Sequence, residues 1–226
     1  MTDPFLAIIR VAQFIVLLTF HEWGHAKSAN MLGDPTAKDE GRMSFNPAVH
    51  IDPLGTIFLP LLGVLFGGGF FGWAKPVPVD SRYLKNPKRD LMIIAGAGPI
   101  MNIICTVVIL AIVRVLIETI GFPGSHAPLW YQIYRVLLMD SALISVFLAV
   151  FNMLPVFPLD GFSVVYGLLP WKQAQQFGRL RPYGMMILMV IIFAPGLLRL
   201  PNPVFWVIGE VAYGIFTICT VLLGLR

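Results

Sequence analysis

His21-Glu22-Trp23-Gly24-His25 lies inside a run of residues that is otherwise apolar. On a helix, residues four apart share a face, so His21 and His25 can aim ring nitrogens at one ion. Glu22 sits one step round the helix, within reach of a water beside that ion. Two neutral imidazoles and an adjacent carboxylate are the groups that zinc-assisted peptide hydrolysis uses. With 4 His in 226 residues and as few Glu, random placement gives this pattern only about 0.001 times. The plain alternative is a pair of helix histidines that bind nothing.

Two histidines do not complete a catalytic zinc site, which takes a third protein ligand and leaves the fourth position to water. The candidates are His50, His126 and the few carboxylates near apolar segments. Asp160 stands out among them. It follows Asn152-Met153-Leu154-Pro155-Val156-Phe157-Pro158, directly after an apolar segment, and Gly161 comes next. Pro155 and Pro158 each disturb helical hydrogen bonding, so the backbone loosens there and can turn Asp160 inward.

The elements that must hold these residues are helices in a bilayer. The chain is 57% hydrophobic and 12% charged, with mean hydropathy +0.79; soluble domains carry about twice that charge fraction. No polar stretch is long enough for a separate soluble domain. Residues 1–226 therefore read as one membrane-embedded unit, with a catalytic core over about 5–162 and C-terminal helices over about 183–225. The N-terminus lacks the basic region of a cleavable signal. Cys105 and Cys219 lie in apolar runs and read as buried free thiols. The net charge of +4 calls for no nucleic acid and fits basic cytoplasmic loops.

Spans are expected at Phe5–Met31, Leu91–Ile120, Tyr131–Leu154, about Tyr183–Leu198 and about Val204–Leu225. A polar connector precedes the fourth, up to Pro182. Segment 54–74 is apolar but broken by Pro60, Gly63 and Gly67-Gly68-Gly69. If it dips in and returns, twelve loop Lys/Arg share one side and only Arg199 lies opposite. A full crossing gives nine against four, and the positive-inside rule prefers the first arrangement. Broken backbone at membrane depth is tolerated where it lines a cavity. Parity agrees: His25 and Asp160 must meet at one ion, which needs an even number of crossings between them. The expected fold is an all-α polytopic membrane protein of five to six transmembrane helices, with a re-entrant or short β-like element after the first. The N-terminus is expected outside, with the C-terminus and the active-site opening cytoplasmic.

The His21–His25 motif, then Ala97-Gly98-Pro99 with Asn102, then Asn152 through Leu159-Asp160-Gly161, resembles the site-2 protease family of zinc intramembrane metalloproteases. The stretches Asn46-Pro47, His50 to Thr56 and Gly72 to Pro78 resemble its small bacterial branch, which lacks PDZ and CBS domains. The resemblance implies one zinc per chain, held by His21, His25 and Asp160. It implies Glu22 as general base and proton shuttle, and Asn152 as a residue that steadies the substrate or the oxyanion. The implied substrates are transmembrane segments of other membrane proteins, as in regulated intramembrane proteolysis.

Other polar residues invite plainer readings. Gly96, Gly98 and Asn102 can bring helices close, with Asn102 bonding across them or standing behind a ligand. His50 is a reserve ligand that more naturally braces its connector or backs the site. Arg114 and Glu118 are spaced to pair, and Glu210 is an acid within the last span. Residues 42–50 or 67–72 could form a strand edge that holds an extended substrate, or could merely cap helices. Lys75–Arg89 can meet anionic lipid. The rival function is a membrane transporter or metal-handling protein using the same ligands without hydrolysis. A membrane-bound zinc protease of soluble peptides usually takes a Glu as third ligand, and an inactive scaffold would not need Glu22. The bilayer and a membrane-protein substrate are the expected partners; the sequence leaves the oligomeric state open.

Overall fold

The computed structural model describes residues 4–61, 72–120 and 135–225. His126, Gly63 and Gly67–Gly69 fall outside the described residues. Helices and turns account for all the regular structure that is described, and no strand occurs among these residues.

Helix α1 (Pro4–Met31) runs about 42 Å at 1.5 Å per residue. It stops at Gly33, whose φ of +104° lets Asp34 N reach back to Ala29 O at 3.0 Å, a glycine C-terminal cap. A short helix, α2 (Thr36–Asp39), follows. Asp34 is fully buried and fastens this corner. Its Oδ1 accepts from Thr36 N at 3.0 Å and its Oδ2 from Asp80 N at 2.8 Å.

Residues 42–56 form turns, including a 3₁₀ turn at Pro47–Val49 capped by Asn46 and a π-helical turn at Pro53–Phe58 capped by Asp52. The candidate edge at 42–50 is therefore a turn and not a strand; Pro47 and the Asn46 cap direct the backbone into it. Residues 72–80, without helix or turn, lie against this segment. Trp73 N donates to Gly55 O at 3.1 Å and Lys75 N to His50 O at 2.9 Å. Thr56 Oγ1 donates to Trp73 O at 2.7 Å and Arg42 Nη2 to Lys75 O at 2.6 Å. The chain that leaves at Gly55 thus returns beside itself at Trp73.

Helix α3 (Pro87–Ile120) is the hub, packing on α1, on α4 (Asp140–Asn152) and on α5 (Asp160–Leu168). Pro87 suits the first helical position, and Asn86 N donates to Asp90 Oδ2 at 2.8 Å, a capping arrangement. The region read as a polar connector contains α5 and α6 (Trp171–Gly178). These are too short and too mixed in polarity to announce themselves as helices. Helix α7 (Gly184–Leu197) and α8 (Pro203–Leu222) complete the chain. Leu110, Ala142, Val146, Ala212 and Phe216 join α3, α4 and α8 in one buried cluster. Phe147, Phe151 and Phe205 stack in a triangle with ring centres 6.1–6.3 Å apart.

Among the described residues, three helical stretches are long and apolar enough to cross a membrane: Pro87–Thr119, Trp171–Leu197 and Pro203–Leu222, with a shorter apolar helix at Leu137–Asn152. The second is divided by the turn Arg181–Tyr183, so its apolar part is α7. Outward-facing Ile100, Val108, Val190, Trp206 and Ile218 give these helices a surface suited to hydrocarbon. Cys105 and Cys219 are free and half-buried. Arg114 pairs with Glu118 at 2.5 Å and also donates to Gly224 O, tying the end of α3 to that of α8.

Candidate metal centre

The motif face of α1 meets α3 with almost no gap. A Cβ on Gly24 would lie 2.8 Å from Ala97 O, and one on Gly98 would lie 2.7 Å from His21 Cε1 and closer still to His25 Nε2. Only hydrogen at Gly98 leaves room for both rings. Gly96 has open space at that position, so the close approach belongs to Gly98.

His21, Glu22 and His25 are all buried, at 3%, 8% and 8% exposure. One ligand atom from each lies within 4.8 Å of the others. Asp160, the first residue of α5, brings Oδ2 to 3.1 Å from His21 Nε2 and 3.3 Å from His25 Nε2. The two Nε2 atoms are 3.1 Å apart. Ligands about 2.0–2.1 Å from a tetrahedral zinc are separated by about 3.3 Å, so this triangle has the size of one such ion's ligand face.

The outer partners set which nitrogens carry protons. His25 Nδ1 is 2.7 Å from Ile94 O, which can only accept, so Nδ1 is the donor. His21 Nδ1 is 2.7 Å from Asn102 Oδ1, again an acceptor. In the neutral rings both Nε2 atoms therefore present lone pairs to the triangle. The third corner, Asp160 Oδ2, is buried and has no hydrogen-bond partner. With neutral rings, three acceptors converge on one point and call for a cation, and the donor set of two imidazoles and a carboxylate suits zinc.

Behind His21 a polar ladder joins α3 to α4. Ser145 Oγ donates to Asn102 O at 2.8 Å, Asn102 Nδ2 approaches Ser145 Oγ at 3.4 Å, and Thr106 Oγ1 donates to Asn102 O at 3.0 Å. Asn102, Thr106 and Ser145 are fully buried. Pro99 lies inside α3 and lacks the N–H that would complete the preceding turn.

Asn152 and His50 make their hydrogen bonds elsewhere. Asn152 ends α4 and donates through Nδ2 to Leu148 O at 3.0 Å; its amide has a second hydrogen to offer. His50 is 2% exposed, donates through Nε2 to Ser44 O at 2.9 Å, and braces its connector. Sequence reasoning offered Asn102 as a residue bonding across helices or standing behind a ligand, and it missed Ile94 O, Ser145 and Asp34. Asn102 could be found from its place after Ala97-Gly98-Pro99, but nothing in the sequence pairs Ser145 with it.

An imidazole–carboxylate cluster buried in a bundle of apolar helices has the donor set of a metallopeptidase metal site. The chain belongs to peptidase family M50, whose family model matches residues 9–137. That span includes His21, Glu22, His25 and Asn102; Asn152 and Asp160 lie beyond it. The chain is 31% identical over 201 residues to a protein of Bacillus subtilis named "Putative zinc metalloprotease YwhC", covering 85% of this chain and 81% of that one. It is 28% identical to "Putative zinc metalloprotease Rip2" of Mycolicibacterium smegmatis, covering 85% and 69%, and 29% identical to the Mycobacterium tuberculosis protein of the same name, covering 84% and 68%. No solved structure matches the chain.

Proposed function

We propose that this protein is a zinc-dependent intramembrane endopeptidase that cleaves transmembrane segments of membrane proteins. The observation that carries this reading is the triangle of His21 Nε2, His25 Nε2 and Asp160 Oδ2, with Glu22 beside it, in a bundle with an apolar exterior.

His21, His25 and Asp160 would hold the zinc ion. When bound, zinc polarises the scissile carbonyl and lowers the pKa of water. Glu22 accepts the proton of the attacking water and hands it to the leaving amine. Asn102 and Ile94 O keep the two rings turned so that Nε2, not Nδ1, faces the ion. Asn152 offers its remaining amide hydrogen to the substrate carbonyl. Asp160, with 17% of its side chain exposed, is the least buried of the three ligands, so water enters from the side of the 153–159 turn. A substrate helix must unwind locally before its carbonyl is open to attack.

The backbone contact between Gly55 and Trp73 supports the re-entrant reading of 54–74, because the ends of a full crossing would be about 30 Å apart. With that element returning, the His25 end of α1 and the Asp160 start of α5 share a leaflet. Counting Lys/Arg then favours that leaflet and the C-terminus in the cytoplasm and the N-terminus outside.

The test is the full chain reconstituted with single-span substrates. Glu22→Gln should keep its zinc and lose cleavage by about 10²–10⁴-fold. Asp160→Ala should lose zinc. Undiminished cleavage by Glu22→Gln would falsify the mechanism and favour a transporter or metal-handling role; full zinc occupancy in Asp160→Ala would remove it as a ligand.

A further inference from the structure

The polar outer surface of α6 and the start of α3 form one basic patch that the proposed hydrolysis does not use. Residues 84–89 and 168–183 contain six Lys/Arg (Lys85, Lys88, Arg89, Lys172, Arg179 and Arg181) and no Asp or Glu. The two stretches are far apart in sequence but joined in the fold. Lys88 Nζ donates to Leu169 O, just past the end of α5. A Cβ on Gly167 would collide with Met92, so α5 lies directly on the first turns of α3. Phe162 of α5 stacks on Phe177 of α6 with ring centres 4.7 Å apart, and Ala174 is fully buried beneath α6. This packing turns Lys172, Gln173, Gln175, Gln176 and Arg179 outward.

Two cations of the six are already engaged. Lys88 caps the carbonyl end of α5, and the Arg181 guanidinium sits 4.9 Å above the Phe157 ring. Lys85, Arg89, Lys172 and Arg179 are exposed. Among the described residues none of them pairs with a carboxylate. Apolar side chains flank the patch: Leu168 and Trp171 on one side, at 70% and 62% exposure, and Leu180 and Tyr183 on the other, at 47% and 57%. The apolar helix α7 begins at Gly184, directly after Tyr183.

We infer that this patch is a docking surface for the headgroups of anionic phospholipid. An unpaired cationic face at the level where an apolar helix begins, edged by Trp and Tyr, is placed at the headgroup region of a bilayer. A water-facing site for an acidic peptide would need no exposed Leu168, Trp171 and Leu180 beside it. Because α5 carries Asp160 at one end and this patch at the other, bound lipid braces the helix that reaches the metal triangle. The lipid-binding inference itself stands independently of the proposed catalysis.

The test uses the full chain in nanodiscs of mixed phosphatidylglycerol and phosphatidylcholine, with retained lipids identified by native mass spectrometry. Each basic residue near an anionic surface contributes about 1 kcal/mol, or about fivefold. The wild type should retain phosphatidylglycerol at least about tenfold over phosphatidylcholine, and Lys85→Gln/Arg89→Gln/Lys172→Gln/Arg179→Gln should bring the ratio near parity. Lys38→Gln/Arg199→Gln, which removes charge elsewhere, should keep the preference. A photoactivatable phosphatidylglycerol on the wild type should label 84–89 and 168–183, which tests the site even if the fourfold variant folds poorly. The inference is overturned by any of four results. These are no preference in the wild type, a preference surviving in the patch variant, an equal loss in the control variant, or labelling confined to other segments. Patch-dependent crosslinking of an acidic juxtamembrane peptide without lipid preference would overturn it in favour of a peptide site.

Discussion

At the level of single residues, the decisive features are the partners of the histidines' far nitrogens. An acceptor on each Nδ1 selects the tautomer of the neutral ring whose Nε2 carries the lone pair, so the rings are already turned the way an ion would need. Removing the acceptor behind His21 should loosen that commitment: Asn102→Ala should weaken zinc affinity about 10–100-fold, while Asn102→Asp, which keeps an acceptor oxygen, should recover part of it. Competition with a chelator measures both. Gly98→Ala should be harsher, because its methyl would occupy the space of both rings. The expected outcome is a protein without zinc, detected by metal analysis, whereas Gly96→Ala, which meets open space, should keep its metal. The His-Glu-His spacing is legible in the sequence because helical periodicity alone brings those side chains together. The meeting of His21 with Asn102, 81 positions away, depends on how α1 lies against α3, and no local pattern encodes that.

At the level of elements, the site depends on corners as much as on helices. The Asp34 side chain serves two segments at once, accepting from Thr36 N at the start of α2 and from Asp80 N. Its loss leaves buried backbone donors unsatisfied, so Asp34→Ala should cost about 1–3 kcal/mol, read as a lower thermal midpoint of the zinc-bound protein. The long apolar helices were legible from hydropathy, and α3, α7 and α8 begin within a few residues of the expected limits. The pair α5 and α6 was not. With 9 and 8 residues they present too few turns for periodicity to speak, and Pro155, Pro158 and Pro170 around them suggest loop. Pro158 and Leu159 instead lead straight into α5, which starts with Asp160 at a helix N-terminus, a favourable place for a carboxylate. Of the two readings of 42–50, a strand edge or a cap, the strand edge is not formed, for a comparable reason: side-chain caps at Asn46 and Asp52 win over extension.

For the molecule as a whole, the return of the chain at Trp73 has a measurable consequence for topology. Single cysteines replacing Lys38 and Lys85 should react with an impermeant thiol reagent from the same side of the membrane, and one replacing Arg199 from the other. Labelling of positions 38 and 85 from opposite sides would mean that 54–74 crosses. Charge counting could rank these arrangements from the sequence but could not supply the Gly55–Trp73 contact.

The distance along the chain between the corners of the metal triangle also orders events during synthesis. The α1 histidines enter the membrane first, while Asp160 waits until α3 and α4 have been made. Under the proposed function, a ribosome-bound chain lacking α5 has two ligands and cannot hold its zinc in working geometry. The growing polypeptide is therefore harmless to the insertion machinery and to its own later helices until most of it is in place.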